Sequence, residues 1–127
     1  GLILCNRILG YVNAPVIGQR LVEAALGVTV DVEIYKSRRD AMAGVLRDAG
    51  VEFALPRGAF YFFPKAPGNV DDLEFCRLLL DERILAVPGR GFGLPGYFRL
   101  TYCMDEAIIR RAAAGFKRAA DHARAKR

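Results

Sequence analysis

"PGRGFGLPGYFRLTY", residues 88–102, decides how the rest of the chain is read. A loop with glycines at positions 89, 91, 93 and 96 runs into the strand pattern of residues 97–102. Along that strand Phe98, Leu100 and Tyr102 share one face, and Arg99 and Thr101 share the other. A guanidinium in so apolar a strand is costly unless an anion meets it. Its planar fork suits a carboxylate, which it grips through two parallel hydrogen bonds. On composition alone that carboxylate is a structural partner or a ligand's. The loop is not a P-loop, because no Gly-Lys-Ser/Thr follows. Nor is it a dinucleotide fingerprint, because a strand rather than a helix comes next.

Outward from this stretch, "ILAV" (84–87) reads as a short strand. Before it, Asp71 with Glu74 three residues later predicts a capped helix, with Leu73, Cys76, Leu79 and Leu80 as its apolar stripe. "VEFAL" (51–55) and "AFYFF" (59–63) read as two further strands, and core packing accounts for the aromatics of the second. A long helix is expected over about residues 30–49, with Ile34, Ala41, Val45 and Leu46 inward, Tyr35 and Met42 beside them, and Gly50 as its stop. Asp105 opens a last helix carrying Ile108, Ile109, Ala112, Phe116, Ala119 and Ala123 at helical spacing. From residue 30 the order is helix, strand, strand, helix, strand, strand, helix. This predicts an α/β chain of the α+β kind, a mostly antiparallel small sheet with helices packed on it.

Ahead of that unit, residues 2–11 and the stretch from Pro15 to about Gly27 predict two helices, the second capped by Asn13. Leu2, Ile3, Leu4, Ile8, Leu9, Val16, Ile17 and Leu21 exceed what one helical pair can bury, so a partner surface is expected. The expected division is residues 1–29 as a helical interface segment and residues 30–127 as a small domain.

Composition narrows the class. The chain has 127 residues, 53% hydrophobic and 26% charged, with a net charge of +5. That is an ordinary globular balance and excludes wholesale disorder. Arg110, Arg111, Lys117, Arg118, Arg124, Lys126 and Arg127 crowd the C-terminal segment and read as a solvated helix face. Cys5, Cys76 and Cys103 show neither metal spacing nor a disulfide framework and are expected to be buried free thiols in a reducing, cytoplasmic setting. His122, the single histidine, leaves no histidine-based triad or metal cluster and is expected to be exposed. No stretch predicts a membrane span or a signal peptide. The chain opens at Gly1, inside an apolar segment, which reads as the middle of a longer protein. A stand-alone basic α+β module binding nucleic acid, and an inactive interaction remnant, are the alternatives that composition leaves open.

Family resemblance decides more. "RGAFYFFPKAP", then "LEFCRLLLDERILAVPGRGFG", then "GYFRLTYCMDEAIIRRAAAGFKRA" resembles the C-terminal part of fold-type-I pyridoxal-phosphate aminotransferases, the aspartate aminotransferase superfamily. "YKSRRDAMAGVLRDAG" is similar to that family's long helix bridging two domains, and "LGYVNAP" to its dimer-interface segment. The resemblance implies a transaminase that moves an amino group between an amino acid and a 2-oxo acid, acting as a homodimer without nucleic acid or membrane. It implies that Arg99 binds the substrate α-carboxylate, with Phe60, Tyr61 and the loop from Gly89 to Gly93, Gly91 at its centre, flanking the substrate mouth and Asn13 near a neighbouring subunit's active site. It also implies pyridoxal 5'-phosphate as cofactor, held by a Schiff-base lysine. The lysines at 36, 65, 117 and 126 match no such motif, so that lysine is expected upstream of Gly1, and the 127-residue chain alone is expected to be inactive.

Overall fold

The computed structural model describes residues 1–11 and 13–126 and divides into two units, Gly1–Val30 and Asp31–Arg127. The first unit holds helices α1 (Leu2–Ile8) and α2 (Val16–Ala24). Neither contains a buried residue. Asn13 does not cap α2. Pro15 is its N-cap, without a side-chain cap bond, and Gln19 Nε2 donates to the Ala14 carbonyl (2.8 Å) instead. The expected turn at "VNAP" falls partly on Val12, outside the described residues.

The second unit opens with α3 (Val32–Asp48). Asp31 caps it by accepting from the Glu33 N–H (3.0 Å), which satisfies one of the helix's orphan donors. Its inward stripe is Ala41, Met42, Val45 and Leu46, while Ile34 stays exposed. Gly50 ends it in the left-handed region (φ 64°), with the Gly50 N–H bonded to the Arg47 carbonyl (2.8 Å) and the Val51 N–H to the Leu46 carbonyl (2.9 Å). Arg124 caps the same end from the far side of the sequence, donating to the Ala49 and Gly50 carbonyls (2.7 Å each).

The expected strand at 51–55 does not form. Its alternation is real, because Val51 and Phe53 turn inward, but beyond the Val51 N–H that closes α3 its backbone bond to another segment is the one from the Lys65 N–H to the Glu52 carbonyl (3.0 Å), too little for a ladder. The sheet has three short antiparallel strands, β1 (Tyr61–Phe62), β2 (Val87–Pro88) and β3 (Phe98–Thr101), with β3 central. Tyr61 pairs with Thr101 and Phe62 with Leu100, while Val87 pairs with Arg99 and Pro88 with Phe98.

Between β1 and β2 lies α4 (Asp72–Asp81), capped by the Asp71 carboxylate on the Glu74 N–H (2.9 Å). Its buried face is Asp72, Phe75, Leu78 and Leu79. Of the predicted stripe Leu79 is buried and Cys76 packs against the core, while Leu73 and Leu80 stay exposed, because the inward face is shifted to take in Phe75, Leu78 and the arginine-paired Asp72. The last helix is two, α5 (Glu106–Arg111) and α6 (Ala113–Ala125), broken at Ala112. Phe62, Phe75, Phe98, Phe116, Leu46, Leu79 and Ile109 form the centre of the core. Its size suits burial of one face of the sheet under α3, α4 and α6.

The basic C-terminal segment is largely paired. Arg110 holds Glu106, Arg118 holds Glu82, Arg124 holds Asp121 and Lys126 holds Glu74. His122 is exposed, as expected. The expectation of buried thiols fails: Cys5 and Cys103 are exposed, Cys5 on a helix with no buried residue and Cys103 past the end of β3, and Cys76 is half-buried at the edge of the inward face of α4. Burial, aided by the Asp72 charge, pushes the Cys76 thiol up to about 11, so it stays protonated at neutral pH. Among the described residues no helix is long and apolar enough to cross a membrane, and no group of His, Cys, Asp or Glu is placed to hold a metal.

Candidate functional site

Strand β3 sends Phe98 and Leu100 into the core and leaves Arg99 half-buried on the other face, as the alternation predicts. Among the described residues Arg99 forms no ion pair. Its guanidinium lies instead over two rings, with Cζ 4.3 Å from the centre of Phe92 and 4.6 Å from that of Tyr61. The structural-carboxylate explanation of Arg99 therefore has no partner here. The two rings hold the fork in place by cation–π attraction while leaving its donors to other ligands.

Further aromatic rings surround this site. Phe60 packs on Tyr61 (4.5 Å), and Phe63 meets Phe92 edge-on (5.9 Å) and stacks on Tyr97 (6.3 Å). Tyr61 is 38% and Phe92 50% exposed. Core packing thus explains only Phe62 of the aromatic run. Thr101 Oγ1 donates to the Phe60 carbonyl (3.3 Å), and the Tyr102 hydroxyl donates to the Ala59 carbonyl (2.7 Å). Ala59 has a positive φ of 57°, a strained backbone held just ahead of β1.

Of the sequence-predicted residues, Arg99, Tyr61 and Phe60 come together on this face. Gly91 lies in the 3-10 turn Gly89–Phe92 that carries Phe92, and its side-chain position opens on free space. Asn13 is exposed in the first unit.

Sequence reasoning placed Phe92 only within the flanking loop Gly89–Gly93, without its contact to Arg99, and it missed the groups that hold its turn. Asp72 has no exposed surface, and its carboxylate accepts from the Arg90 backbone N–H (2.9 Å), from Arg90 Nη2 (2.8 Å) and Nε (3.1 Å), and from the Gly96 N–H (3.3 Å). Arg90 Nη2 also reaches Asp71 (2.7 Å). One carboxylate in the first turn of α4 thereby grips both ends of the glycine loop. The only sequence signal was the doubled acid "DD" at 71–72, of which a cap needs one.

The Arg90 hydrogen bonds, with help from the two backbone N–H groups, hold the Asp72 carboxyl well below the ordinary carboxylate range despite its burial. A depressed folded-state value contributes stability that is present above the unfolded value of about 3.9 and is lost as pH falls through the folded one. The denaturation midpoint of the wild-type chain is therefore expected to drop progressively below about pH 4. Asp72→Asn should lower the midpoint at pH 7 and flatten that acid slope. A slope as steep in Asp72→Asn as in the wild type would show that the other lowered carboxyls (Asp71, Glu74, Glu82 and Glu106) supply it.

A sequence model of the family "Aminotransferase class I and II" matches residues 7–116, most of the chain. The chain belongs to that family. An aspartate aminotransferase of Thermotoga maritima is 43% identical over 72 residues, covering 56% of this chain and 19% of the relative. An LL-diaminopimelate aminotransferase of Syntrophobacter fumaroxidans is 35% identical over 99 residues, covering 75% of this chain and 26% of the relative. The chain thus spans about a fifth to a quarter of the length of these aminotransferases. Among solved structures, an aminotransferase from Eubacterium rectale superposes with a TM-score of 0.85 at 36% identity, over 93% of this chain and 29% of that one. The aspartate aminotransferase of Thermus thermophilus with maleate gives 0.65 at 33% identity, over 68% of this chain and 23% of that one.

Aminotransferases of this family imply pyridoxal phosphate. The described residues do not fit its Schiff base: Lys36 and Lys126 are paired with Glu33 and Glu74, Lys65 and Lys117 are exposed, and no lysine stands against Arg99 among the described contacts.

Proposed function

We propose that this chain supplies the substrate α-carboxylate site of a pyridoxal-phosphate aminotransferase that moves an amino group between an amino acid and a 2-oxo acid. The observation that carries this is the Arg99 guanidinium, held over Tyr61 and Phe92 with no carboxylate of its own among the described residues. A planar cation, pre-set by two rings and facing outward, is organised for a carboxylate brought by a ligand. The Thermus relative crystallised with maleate, a dicarboxylate, supports the same chemistry.

Residues 30–127 form the enzyme's small domain in this reading, and residues 1–29 a helical part of its large domain and subunit interface. The exposed apolar residues of α1 and α2, among them Leu2, Ile8, Val16 and Ile17, support a homodimer. Asn13 stands near the neighbouring subunit's active site. The cofactor, when bound by the rest of the enzyme, acts as the electron sink for the amino group, and this chain's part is to bind and orient the substrate.

One experiment tests the reading: assay and size the full-length enzyme beside the 127-residue chain. The full-length enzyme is expected to be dimeric and to transaminate amino acids. Amines lacking the α-carboxylate should react at least about 10²-fold less efficiently. The 127-residue chain should give no turnover above that of free cofactor. Equal efficiency on amines and amino acids, or turnover by the short chain, would overturn it.

A further inference from the structure

We infer that Asp72 and Arg90 are positioning residues for the Arg99 site: their ion pair fixes the Gly89–Phe92 turn so that the Phe92 ring lies against the Arg99 guanidinium. This rests on the carboxylate-binding reading of Arg99. The chain of contacts is continuous. Asp72 leaves the first turn of α4 with no exposed surface and accepts from both the backbone and the side chain of Arg90. Two residues on, Phe92 lies 4.3 Å from Arg99 Cζ and meets Phe63 edge-on. The same carboxylate takes the Gly96 N–H at the far end of the loop (3.3 Å), so neither end can drift without breaking a bond to it.

Stability alone does not explain such a pair. Asp72 is fully buried while the Arg90 side chain is 42% exposed, and taking a carboxylate out of water to meet a half-solvated partner is often no better than burying an apolar group of the same volume. An arginine whose own N–H and side chain both bind one acid specifies the path of the turn, however, and that path places Phe92. The other ring, Tyr61, is set by the β1–β3 pairing of Tyr61 with Thr101, without help from the loop. Of the two rings at Arg99, one is therefore placed by the sheet and one by the Asp72–Arg90 pair. Loosening the second lets the fork tilt, and a misplacement of about 1 Å in a binding group can cost up to about 10²-fold.

The test uses the full-length enzyme and five variants: Arg90→Lys, Asp72→Asn combined with Arg90→Gln, Phe92→Leu, Phe92→Leu combined with Arg90→Lys, and Arg99→Ala. Steady-state kinetics with an amino acid, calorimetric titration with maleate and melting temperature are measured on each. The double variant is expected to raise KM and the maleate Kd about 10-fold with kcat within about 2-fold, and Arg90→Lys to fall between it and the wild type. Phe92→Leu should reproduce the KM and Kd effect with little change in melting temperature, because the ring is half exposed. Phe92→Leu and Arg90→Lys combined should cost no more than the larger of the two, since both act through one ring. A double variant with a lowered melting temperature but unchanged KM and Kd would reduce the pair to a fold element and overturn the inference. Should that variant not fold, fully additive effects of Phe92→Leu and Arg90→Lys would overturn it equally. If Arg99→Ala loses affinity and the double variant does not, this inference alone fails. If Arg99→Ala keeps its affinity, the carboxylate reading fails and this one with it.

Discussion

Arg99→Ala in the full-length enzyme is expected to lower kcat/KM by about 10² or more, and to do so for every amino acid alike. All of them present the same α-carboxylate, whatever their side chains. Truncating one partner of a desolvated, hydrogen-bonded charge pair costs about 2–5 kcal/mol, and each 1.4 kcal/mol is tenfold. Arg99→Lys should recover only part, for two reasons. An ammonium cannot make two parallel bonds to one carboxylate, and it cannot lie flat over Tyr61 and Phe92, which hold the present guanidinium at 4.6 and 4.3 Å. Folding should be little affected. The core side of β3 is Phe98 and Leu100, and what Arg99 gives the fold is two cation–π contacts of about 0.5–1 kcal/mol each at a half-exposed position. Melting temperature and kinetics on one preparation separate this from a structural role. A large stability loss with intact kcat/KM would end the carboxylate proposal.

The face that Arg99 occupies was legible in the sequence because strand periodicity is strict. Phe98, Leu100 and Tyr102 could only point together, and all three are buried. Helix ends were legible for a similar local reason: Asp71 and Asp105 offer carboxylates to their own following N–H groups, and Gly50 takes the positive φ that ends α3. Long-range choices were not legible. "VEFAL" has the alternation of a strand, yet its bond toward the sheet is the single one from the Lys65 N–H to the Glu52 carbonyl, which falls beyond the end of β1, so no ladder forms. The stripe read for α4 was half right: Leu79 is buried and Cys76 packs on the core, but Leu73 and Leu80 are exposed, and the acid on the inward face, Asp72, the partner of Arg90, is one that hydrophobicity could not nominate. The contact of Phe92 with Arg99 was passed over as well. It lies in a glycine loop seven residues from Arg99, and only the fold of that loop lays its ring on the guanidinium.

Gly89→Ala is expected to be the most damaging single methyl in the loop. Gly89 donates its N–H to the Tyr97 carbonyl (2.7 Å), and its own carbonyl accepts from the Leu94 N–H (3.1 Å), so its backbone is fixed from both sides. A Cβ there would sit 2.5 Å from the Tyr97 carbonyl oxygen and also crowd that of Leu94. Both obstacles are backbone, which cannot swing aside as a flexible side chain can. Relief requires the turn to lift away from Tyr97, and Tyr97 leads directly into β3, so the strain passes to Arg99 and to the Phe92 turn together. Overpacking of this kind costs about 3 kcal/mol, enough to lower the melting temperature by roughly 10 °C in a chain of this size. Gly91→Ala, two residues on in the same turn, is the control. Its Cβ meets nothing within 4 Å, and an exposed substitution of that kind stays within about 0.5 kcal/mol. Thermal denaturation of the two variants beside the wild type decides the matter. Equal melting temperatures for Gly89→Ala and Gly91→Ala would mean that the close approach of Gly89 to Tyr97 does not hold the loop against β3.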